Sequence, residues 1–348
     1  MKDSKPLLTV AIPAYRRPET LEKIIKSFQQ EENQNFVLLI ADDSMDKSVE
    51  KMITPYLKKY SNIIYHKNKE NLGFNKNVLH LYELVSTKYV WYLCDDDTIV
   101  SGCVDKILNA IKKFDFSVAV FNCSWVNPYG VLSHAGVLED KLYTKLNQLK
   151  TYQPLMRMTF LSIVIFEKRI DVEEIKKTDF QDNIFIQITL GLLTLSNKFR
   201  YVEVADEILH RNVGYKYGEF FKFFLVDELK AVFLTKHIFD NKKFILFQKQ
   251  KYFEALQLYL SQKIGIFKYN GSPSVKTLKM LYQYYGFFAI LFLFFKILSL
   301  LVPTFVLKFI YLQKLKQIHG NEKALDIYNK QINRSYTDSR KTGFTSYK

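Results

Sequence analysis

Three consecutive aspartates, Asp95–Asp97, directly follow the apolar segment Tyr89–Leu93 and Cys94. Adjacent carboxylates repel one another, and a divalent cation relieves that repulsion. Mg²⁺ and Mn²⁺ prefer oxygen ligands and are commonly held by one or two carboxylates together with substrate phosphates. The alternative is an acidic turn that only stabilises the start of the next helix. Because the aspartates stand at the end of a predicted strand, we favour a site for Mg²⁺ or Mn²⁺.

Two further polar clusters, Pro13–Arg17 and Asp42–Asp46, also follow short apolar segments. Through the first 125 residues such segments alternate with others whose apolar residues recur every three to four positions, as in helices. This alternation predicts βαβ units, hence an α/β fold with a mostly parallel central sheet flanked by helices. Ligands bind such sheets beyond the carboxyl ends of the strands, where we expect all three clusters to lie. The predicted strands are Leu7–Tyr15, Phe36–Ala41, Asn62–His66, Tyr89–Leu93, Ser117–Trp125, Phe160–Phe166 and Tyr201–Leu209.

The chain has 348 residues, of which 48% are hydrophobic, and a net charge of +15. This length allows one α/β domain of about 200 residues and a smaller second unit. The positive charge predicts an anionic partner: nucleic acid, an acidic membrane surface or a phosphorylated substrate. The basic residues are spread along the sequence without a nucleic-acid recognition motif, which argues against nucleic acid. The sequence also lacks the glycine-rich loops of P-loop and dinucleotide-binding enzymes.

Three cysteines, Cys94, Cys103 and Cys123, have neither the even number nor the paired spacing of a disulfide framework or a zinc site. They favour a reducing compartment. The N-terminal segment has an apolar run too short for a signal peptide and enters a predicted strand. We therefore expect a cytoplasmic protein, which could be peripheral on the cytoplasmic face of the membrane.

The sequence predicts two domains, residues 1–215 and a helical, aromatic-rich region at 216–348. Within the second, residues 284–312 are strongly apolar and are interrupted by Lys296 and Pro303. A basic segment follows, a pattern that fits an interfacial anchor on an anionic inner leaflet. A helix buried in a helical subdomain is an equal alternative. A transmembrane span is a third, although Lys296 is costly there.

Four motifs occur in a fixed order along the chain: IPAYRRP at 12–18, LLIADDSMD at 38–46, NKENLGFNKN at 68–77 and YVWYLCDDD at 89–97. As a set they resemble glycosyltransferase family 2, in particular the branch of bacterial surface-polysaccharide transferases that includes abequosyltransferase-like enzymes. The resemblance covers about residues 7–215 and implies the GT-A fold, which is Rossmann-like. It also implies a nucleotide-sugar donor.

By this resemblance, Pro13 and Tyr15 border the nucleotide base, and Tyr15 stacks on it. Asp43 accepts a hydrogen bond from the base, while Asp42 supports the turn. The turn Asp42–Asp46 is one residue shorter than is usual in the family, which leaves the identity of the base open.

The family's N-x-G loop is matched by Asn71, Leu72 and Gly73, and Lys76 follows between two further asparagines. Loop amides together with a lysine can hold a diphosphate. An ordinary asparagine-capped helix start is the structural alternative, and both roles are compatible.

Asp95 and Asp97 form the D-x-D pair of the resemblance, which implies that one aspartate of the cluster contacts the ribose and one holds the metal. We assign Asp95 and Asp96 to the donor and Asp97 and Asp95 to the metal. Many relatives have the first acid one position earlier, where this chain has Cys94. Whether Asp96 or Asp97 is the principal ligand stays open.

The catalytic base is expected downstream. Gln181–Asp182 resembles the family's E-D pair, and Asp182 would deprotonate the acceptor hydroxyl. Asp182 could instead cap the following helix, and Asp179 is the competing base. His210 is a further candidate ligand for metal or phosphate, although a single histidine at a strand end is more often structural.

The expected function is a metal-dependent, inverting transfer of a sugar from a nucleoside-diphosphate donor. The acceptor would be a glycan or a polyprenyl-linked glycan in bacterial surface-polysaccharide synthesis. A non-catalytic glycosyltransferase-like assembly partner and a basic nucleic-acid-binding protein are the alternatives.

Overall fold

The computed structural model describes residues 5–126, 132–134, 136–150, 153–176, 185–211, 302–321, 324, 325 and 329. The chain divides into two compact units; described residues up to 211 belong to the first and those from 302 onward to the second. The predicted boundary at residue 215 stays a prediction, because residues 212–301 lie outside the described ranges.

The first unit is built on a single sheet with helices around it. Its strands are β1 (Leu8–Ala14), β2 (Val37–Asp42), β3 (Ile63–Lys67), β4 (Tyr89–Tyr92), β5 (Thr98–Ile99), β6 (Val118–Val126), β7 (Leu132–His134), β8 (Lys141–Tyr143), β9 (Val164–Glu167) and β10 (Tyr201–His210). Its described α-helices are α1 (Pro18–Gln29), α2 (Ser48–Lys59), α3 (Phe74–Leu84), α4 (Cys103–Phe114), α5 (Gln153–Met156), α6 (Val172–Lys176) and α7 (Ile186–Asn197). The strand order is β3-β2-β1-β4-β9-β6-β10-β5, with β7 added beside β6 and β8 beside β10.

The four strands β3-β2-β1-β4 are all parallel, as the sequence pattern predicts. All seven residues of β1 are buried, which explains its continuous apolar run. In α1, Pro18 occupies the first turn and the buried positions Leu21, Ile24, Ile25 and Phe28 recur at helical spacing. This half of the sheet confirms the predicted Rossmann-like pattern and collects the carboxyl ends of β1, β2, β3 and β4 at one edge.

The other half of the sheet is mixed. Strand β9 pairs antiparallel with both β4 and β6, whereas β6 and β10 run parallel. The strand predicted at Phe160–Phe166 begins only at Val164, after two short 3₁₀ turns. The reason lies in Ser162: its carbonyl accepts a bond from Trp91 Nε1 (2.7 Å), and its hydroxyl accepts one from the Cys94 amide (3.0 Å). These two bonds hold Ser162 against the end of β4, and strand pairing starts only at Val164.

Aromatic side chains fill the core on both sides of β4. Phe28 of α1 packs on Trp91 with ring centroids 5.9 Å apart, and Tyr92 packs on Phe166 of β9 at 6.0 Å. Trp91 and Tyr92 are fully buried. Packing on both faces holds β4 in place, and β4 carries the three aspartates at its end.

In the second unit the structure describes α8 (Thr304–His319), which begins after Pro303. Phe305 and Phe309, one turn apart, are both largely exposed. None of the helices in the described part of the chain is long and apolar enough to cross a membrane. Residues 284–301 of the predicted apolar segment lie outside the described ranges, so its role stays a prediction.

Candidate active site

The three polar clusters meet at the carboxyl ends of the parallel strands. The Tyr15 amide donates to Asp95 Oδ2 (3.3 Å), and the Arg16 amide donates to the hydroxyl of Ser44 (2.8 Å). The Asp43 amide bonds to the carbonyl of Ala14 at 2.9 Å. The loops after β1, β2 and β4 are therefore joined directly to one another.

Arg17 places a positive charge beside the aspartates that follow β4, and sequence reasoning did not single it out. Its NH1 atom donates to Asp95 Oδ1 at 2.9 Å and to Asp96 Oδ2 at 2.7 Å. Arg17 immediately precedes α1, so the turn after β1 directs its side chain across to the end of β4. The sequence signal for Arg17 was the pair Arg16–Arg17 directly after the first predicted strand. The predicted fold brings the end of this strand and the three aspartates after β4 to the same edge of the sheet.

Asp95 is buried and is held by groups of the protein on both oxygens. Burial raises the pKa of Asp95 to about 6, with the Arg17 charge working against the rise and Asp96 adding to it. The sequence assigns Asp95 to both the donor and the metal. In the structure its bonds to the Tyr15 amide and to Arg17 fix the orientation of the carboxylate between the loops after β1 and β4.

The atoms best placed for a cation belong to Cys94, Asp96 and Asp97. One potential ligand atom from each residue lies within 4.8 Å of the other two. Among the described residues, these three side chains form the group of potential metal ligands that lie this close together. Ligand atoms on opposite sides of one small cation would be about 4.2–4.6 Å apart, so the spacing fits a single ion. Asp97 is buried, while Cys94 and Asp96 are partly exposed. Asp95 lies outside this group because its oxygens face Arg17 and the Tyr15 amide.

The surroundings of the Cys94 thiol disfavour its ionised form. Burial, followed by the charges of Asp97 and Asp96, raises the pKa of this thiol well above its usual value.

Asp42 organises the turn after β2. It is fully buried, and its carboxylate accepts bonds from the Ser44 amide (2.9 Å), the Tyr65 hydroxyl (2.8 Å) and Lys67 Nζ (2.7 Å). Burial, and then the bond to Asp42, raise the pKa of Tyr65, so this phenol stays a donor. The arrangement fits the supporting role expected of Asp42, and its two partners on β3 were not predicted.

Asp43 holds the loop that leads into α3. Its Oδ1 atom accepts from Asn68 Nδ2 (2.9 Å) and the Leu72 amide (2.8 Å), and its Oδ2 atom accepts from the Gly73 amide (2.8 Å). The resemblance implies a contact to the nucleotide base, but these bonds give Asp43 a role in positioning residues 71–73. Gly73 has φ +75°, a conformation that side chains disfavour, and this turns the loop toward Asp43.

The remaining loop residues divide into structural and accessible ones. Asn71 Oδ1 accepts from the Gly73 amide (2.9 Å), so it stabilises the turn rather than capping α3 directly. Asn77 is buried and links Asn68 to the carbonyl of Ala41. Lys76, in the first turn of α3, is exposed and forms no ion pair with another described residue.

Pro13 and Tyr15 differ in accessibility. Pro13 lies within β1, buried and in register with Ala41 of β2. Tyr15 is partly exposed, and the guanidinium of Arg16 lies 5.2 Å from the centre of its ring. Tyr15 is thus the member of the pair with an accessible π-face beside the three loops.

The family model described as "Glycosyl transferase family 2" matches residues 9–170, which include all three loops and the cation ligands. Residues 9–170 form a glycosyltransferase family 2 domain. This confirms the family to which the four motifs point.

Two curated relatives of the family 2 domain have named activities. Abequosyltransferase RfbV of Salmonella typhimurium is 32% identical over 96 residues, which is 27% of this chain and 29% of the relative. The GalNAc(5)-diNAcBac-PP-undecaprenol beta-1,3-glucosyltransferase of Campylobacter jejuni is 28% identical over 109 residues, 31% of this chain and 35% of the relative. The chain thus spans about a third of the length of these two relatives.

Solved structures share the GT-A fold with this chain. Staphylococcus aureus TarS 1–349 superposes with a TM-score of 0.58 at 12% identity, covering 94% of this chain and 91% of that one. The mannosyltransferase PcManGT of Pyrobaculum calidifontis, in complex with GDP-Man and Mn²⁺, gives 0.51 at 12% identity, with coverages of 94% and 84%. These similarities confirm the predicted fold class.

Beyond the parallel strands, the family 2 domain is followed by β10, which ends beside the cation ligands. His210 is in register with Thr98, the residue after Asp97. Its Nδ1 atom lies 2.6 Å from the Ser124 hydroxyl and 3.0 Å from Glu207 Oε1, and Ser124 also bonds to Glu207. The carboxylate of Glu207 favours the proton on Nδ1, which leaves the lone pair on Nε2.

The predicted base does not fall within the described residues. Asp179 and Asp182 both lie in 177–184, outside the described ranges, so the assignment of the base stays a prediction.

Proposed function

We propose that the protein is a glycosyltransferase that moves a sugar from a nucleoside-diphosphate donor to a hydroxyl of a glycan or lipid-linked acceptor. The observation that carries this proposal is the group of Cys94, Asp96 and Asp97 beside the loops after β1 and β2, inside the family 2 domain. Relatives support it by their names, which describe abequosyl and glucosyl transfer. Structures of the same fold hold UDP-GlcNAc, or GDP-Man with Mn²⁺.

The donor would be held by three loops. Tyr15 offers its ring to the base, Asp43 keeps the 71–73 loop in place, and Lys76 lies in the first turn of α3, where a helix start favours anions. Asp95 fixes the distance between the first loop and the end of β4 through the Tyr15 amide and Arg17. In this proposal Lys76 and the cation would both contact the diphosphate.

Asp96 and Asp97, with Cys94, would hold a divalent cation. Such a cation, when bound, neutralises charge on a departing diphosphate. Of the chain's own groups, Lys76 would also neutralise charge on the departing diphosphate, and a carboxylate would accept the proton of the acceptor hydroxyl.

The transfer would invert the anomeric carbon. The acceptor oxygen forms its bond to that carbon as the bond to the diphosphate oxygen breaks, and the nucleoside diphosphate leaves. The hydroxyl proton passes to a carboxylate, for which Asp182 is our candidate. Loss of a general base slows reactions by about 10²–10⁴-fold. Asp182→Asn should therefore reduce turnover by that factor while donor affinity and melting temperature stay unchanged; normal turnover would move the role to Asp179.

Exposed Phe305 and Phe309 of α8 support an additional partner, an anionic membrane surface. The acceptor would then be met at the cytoplasmic face of the membrane. Flotation with vesicles measures this: binding to anionic vesicles should fall when both phenylalanines are replaced by serine, and equal binding of the variant would remove the membrane from the proposal.

The experiment that tests the function is a screen of nucleotide sugars by thermal shift, with and without Mn²⁺. A donor that binds the folded protein raises its melting temperature by mass action. The donor found in this way is then incubated with candidate acceptors, and released nucleoside diphosphate is measured. Glu139→Gln, an exposed acid with no bond to another described residue, is the control and should behave as wild type.

Two outcomes would contradict the proposal. If no nucleotide sugar stabilises the protein, the donor site is wrongly assigned. If a donor binds but no acceptor, and no water, releases the diphosphate, the chain is a non-catalytic relative that acts in an assembly.

A further inference from the structure

The cation ligands of this chain include a sulfur atom. Cys94 Sγ lies within 4.8 Å of a carboxylate oxygen of Asp96 and of Asp97. Mg²⁺ keeps an oxygen shell, whereas thiolate ligands favour softer ions such as Zn²⁺ and Cd²⁺. A group of one thiol and two carboxylates therefore differs in metal preference from a group of carboxylates alone.

The backbone around Cys94 is held on both sides, so the thiol has a defined position. The Leu93 amide donates to the carbonyl of Ala11 at 3.0 Å and continues the ladder between β4 and β1. The next amide, that of Cys94, donates to the hydroxyl of Ser162, which is fully buried. Ser162 is in turn held by Trp91 through its carbonyl. The thiol thus stands at a fixed point at the end of a packed strand.

The other two cysteines lie in different surroundings. Cys103 is buried at the start of α4, where its sulfur lies 3.8 Å from Glu31 Oε2, and Glu31 is occupied by the amides of Gly102 and Val104. Cys123 is buried within β6. Neither belongs to a group of three potential metal ligands in the described part of the chain. They therefore provide matched controls for Cys94.

We propose that Cys94 is a ligand of the cation held by Asp96 and Asp97, and that its sulfur determines which cation the site prefers. The order of affinity should be Mg²⁺, then Mn²⁺, Co²⁺ and Zn²⁺ or Cd²⁺ from weakest to tightest. Sulfur binds as thiolate, and the thiol proton is released to solvent on coordination. This inference rests on the cation site of the proposed function, and it adds the ligand that discriminates between cations.

The test uses the full chain without donor, so that it does not depend on activity. Cd²⁺ is titrated into wild type, Cys94→Ser, Cys103→Ser and Cys123→Ser, and the ultraviolet charge-transfer band of a cadmium–thiolate bond is recorded. We expect the band in wild type and in both control variants, and its loss in Cys94→Ser. Calorimetric titration should show that Cys94→Ser lowers the ratio of Cd²⁺ to Mg²⁺ affinity by at least about 10-fold, a change of about 1.4 kcal/mol.

The outcomes separate this inference from the proposed function. A band that persists in Cys94→Ser, or an unchanged ratio of Cd²⁺ to Mg²⁺ affinity, would overturn the role of Cys94. In that case Mn²⁺ binding that disappears in Asp96→Asn/Asp97→Asn would leave the cation site of the proposed function standing. If wild type binds none of these cations even with donor present, the cation site itself is refuted, and the role of Cys94 with it.

Discussion

The two edges of the sheet carry opposite balances of charge. The site edge, at the carboxyl ends of β1, β2 and β4, collects six aspartates, and among the described residues Arg16, Arg17 and Lys67 form ion pairs with them. The opposite edge, at the amino ends of β4, β6 and β10, has more cations than acids in its ion pairs. Its members are Lys88, Asp115, Glu167, Arg169, Lys198 and Arg200.

The two edges also differ in how their acids are held. Asp42, Asp43 and Asp95 are buried, and each accepts bonds from several groups on other loops. At the opposite edge the buried acid Glu167 is paired with Arg169 and Lys88, whereas Asp115 is exposed and forms ion pairs with Lys198 and Lys88 at the surface. Exposed pairs contribute little to stability, whereas buried acids need fixed partners or a cation. Buried acids therefore outnumber their basic partners at the site edge, which supports the proposed cation site, whereas in the described part of the opposite edge the buried Glu167 has two basic partners.

The largest expected effect comes from removing the cation ligands at the site edge. Asp96→Asn/Asp97→Asn should lower sugar transfer by at least about 10²-fold, as when one preorganised electrostatic contact to a transition state is lost. Asp115→Asn at the opposite edge should change the rate by less than about two-fold, because the surface around Asp115 is solvated. Initial rates with saturating donor measure both. Full activity of the double variant would show that the excess of acid at the site edge serves no cation.

The next prediction separates two roles of Asp43, recognition of the nucleotide base and positioning of the 71–73 loop. Asp43→Asn puts an amide N–H group among donors from Asn68, Leu72 and Gly73, so the 71–73 loop should loosen. Donor affinity should fall on the order of 10-fold, equally for uridine, guanosine and cytidine diphosphates. Calorimetric titration of the three nucleotides measures this. A loss confined to one of them would mean that Asp43 recognises the base itself.

A smaller effect on stability should distinguish the buried acids from the exposed ones. Asp42→Asn leaves the donors Tyr65 and Lys67 facing an amide, and should lower the free energy of unfolding by about 1–3 kcal/mol. Asp115→Asn should change it by less than about 0.5 kcal/mol. Urea denaturation of the two variants makes the comparison. Equal changes would show that the edges do not differ in how they hold their acids.

The smallest effect concerns Arg17, which shares Asp96 with the cation. In Arg17→Gln the Asp96 carboxylate no longer faces a guanidinium, so Mn²⁺ should bind a few-fold more tightly in the absence of donor, a change of about 1 kcal/mol. Lys198→Gln, which removes a cation from the opposite edge, should leave Mn²⁺ affinity unchanged. A weaker Mn²⁺ affinity in Arg17→Gln would instead show that Arg17 supports the cation ligands by orienting them.

Sequence reasoning located the acids of the site edge but not their partners. Asp43 and the 71–73 loop were both singled out, yet their direct bonds follow from the positive φ of Gly73 and from Asn68, a residue at the end of β3. Ser162 was missed because β9 runs antiparallel to β4, which places the residues before β9 at the site edge. Neither the direction of β9 nor a single side-chain orientation can be derived from apolar periodicity.

By itself, the sequence determined the alternation of strands and helices in the first 125 residues, and hence that the segments after β1, β2 and β4 end at one edge. The physical reason is local: buried strands and amphipathic helices have distinct periods, and parallel strands share an edge. The tertiary structure decided that Asp95 and Asp96 face Arg17, and that Asp96 and Asp97 lie close to Cys94. Successive side chains in a turn point in different directions, and those directions depend on contacts with loops distant in the chain.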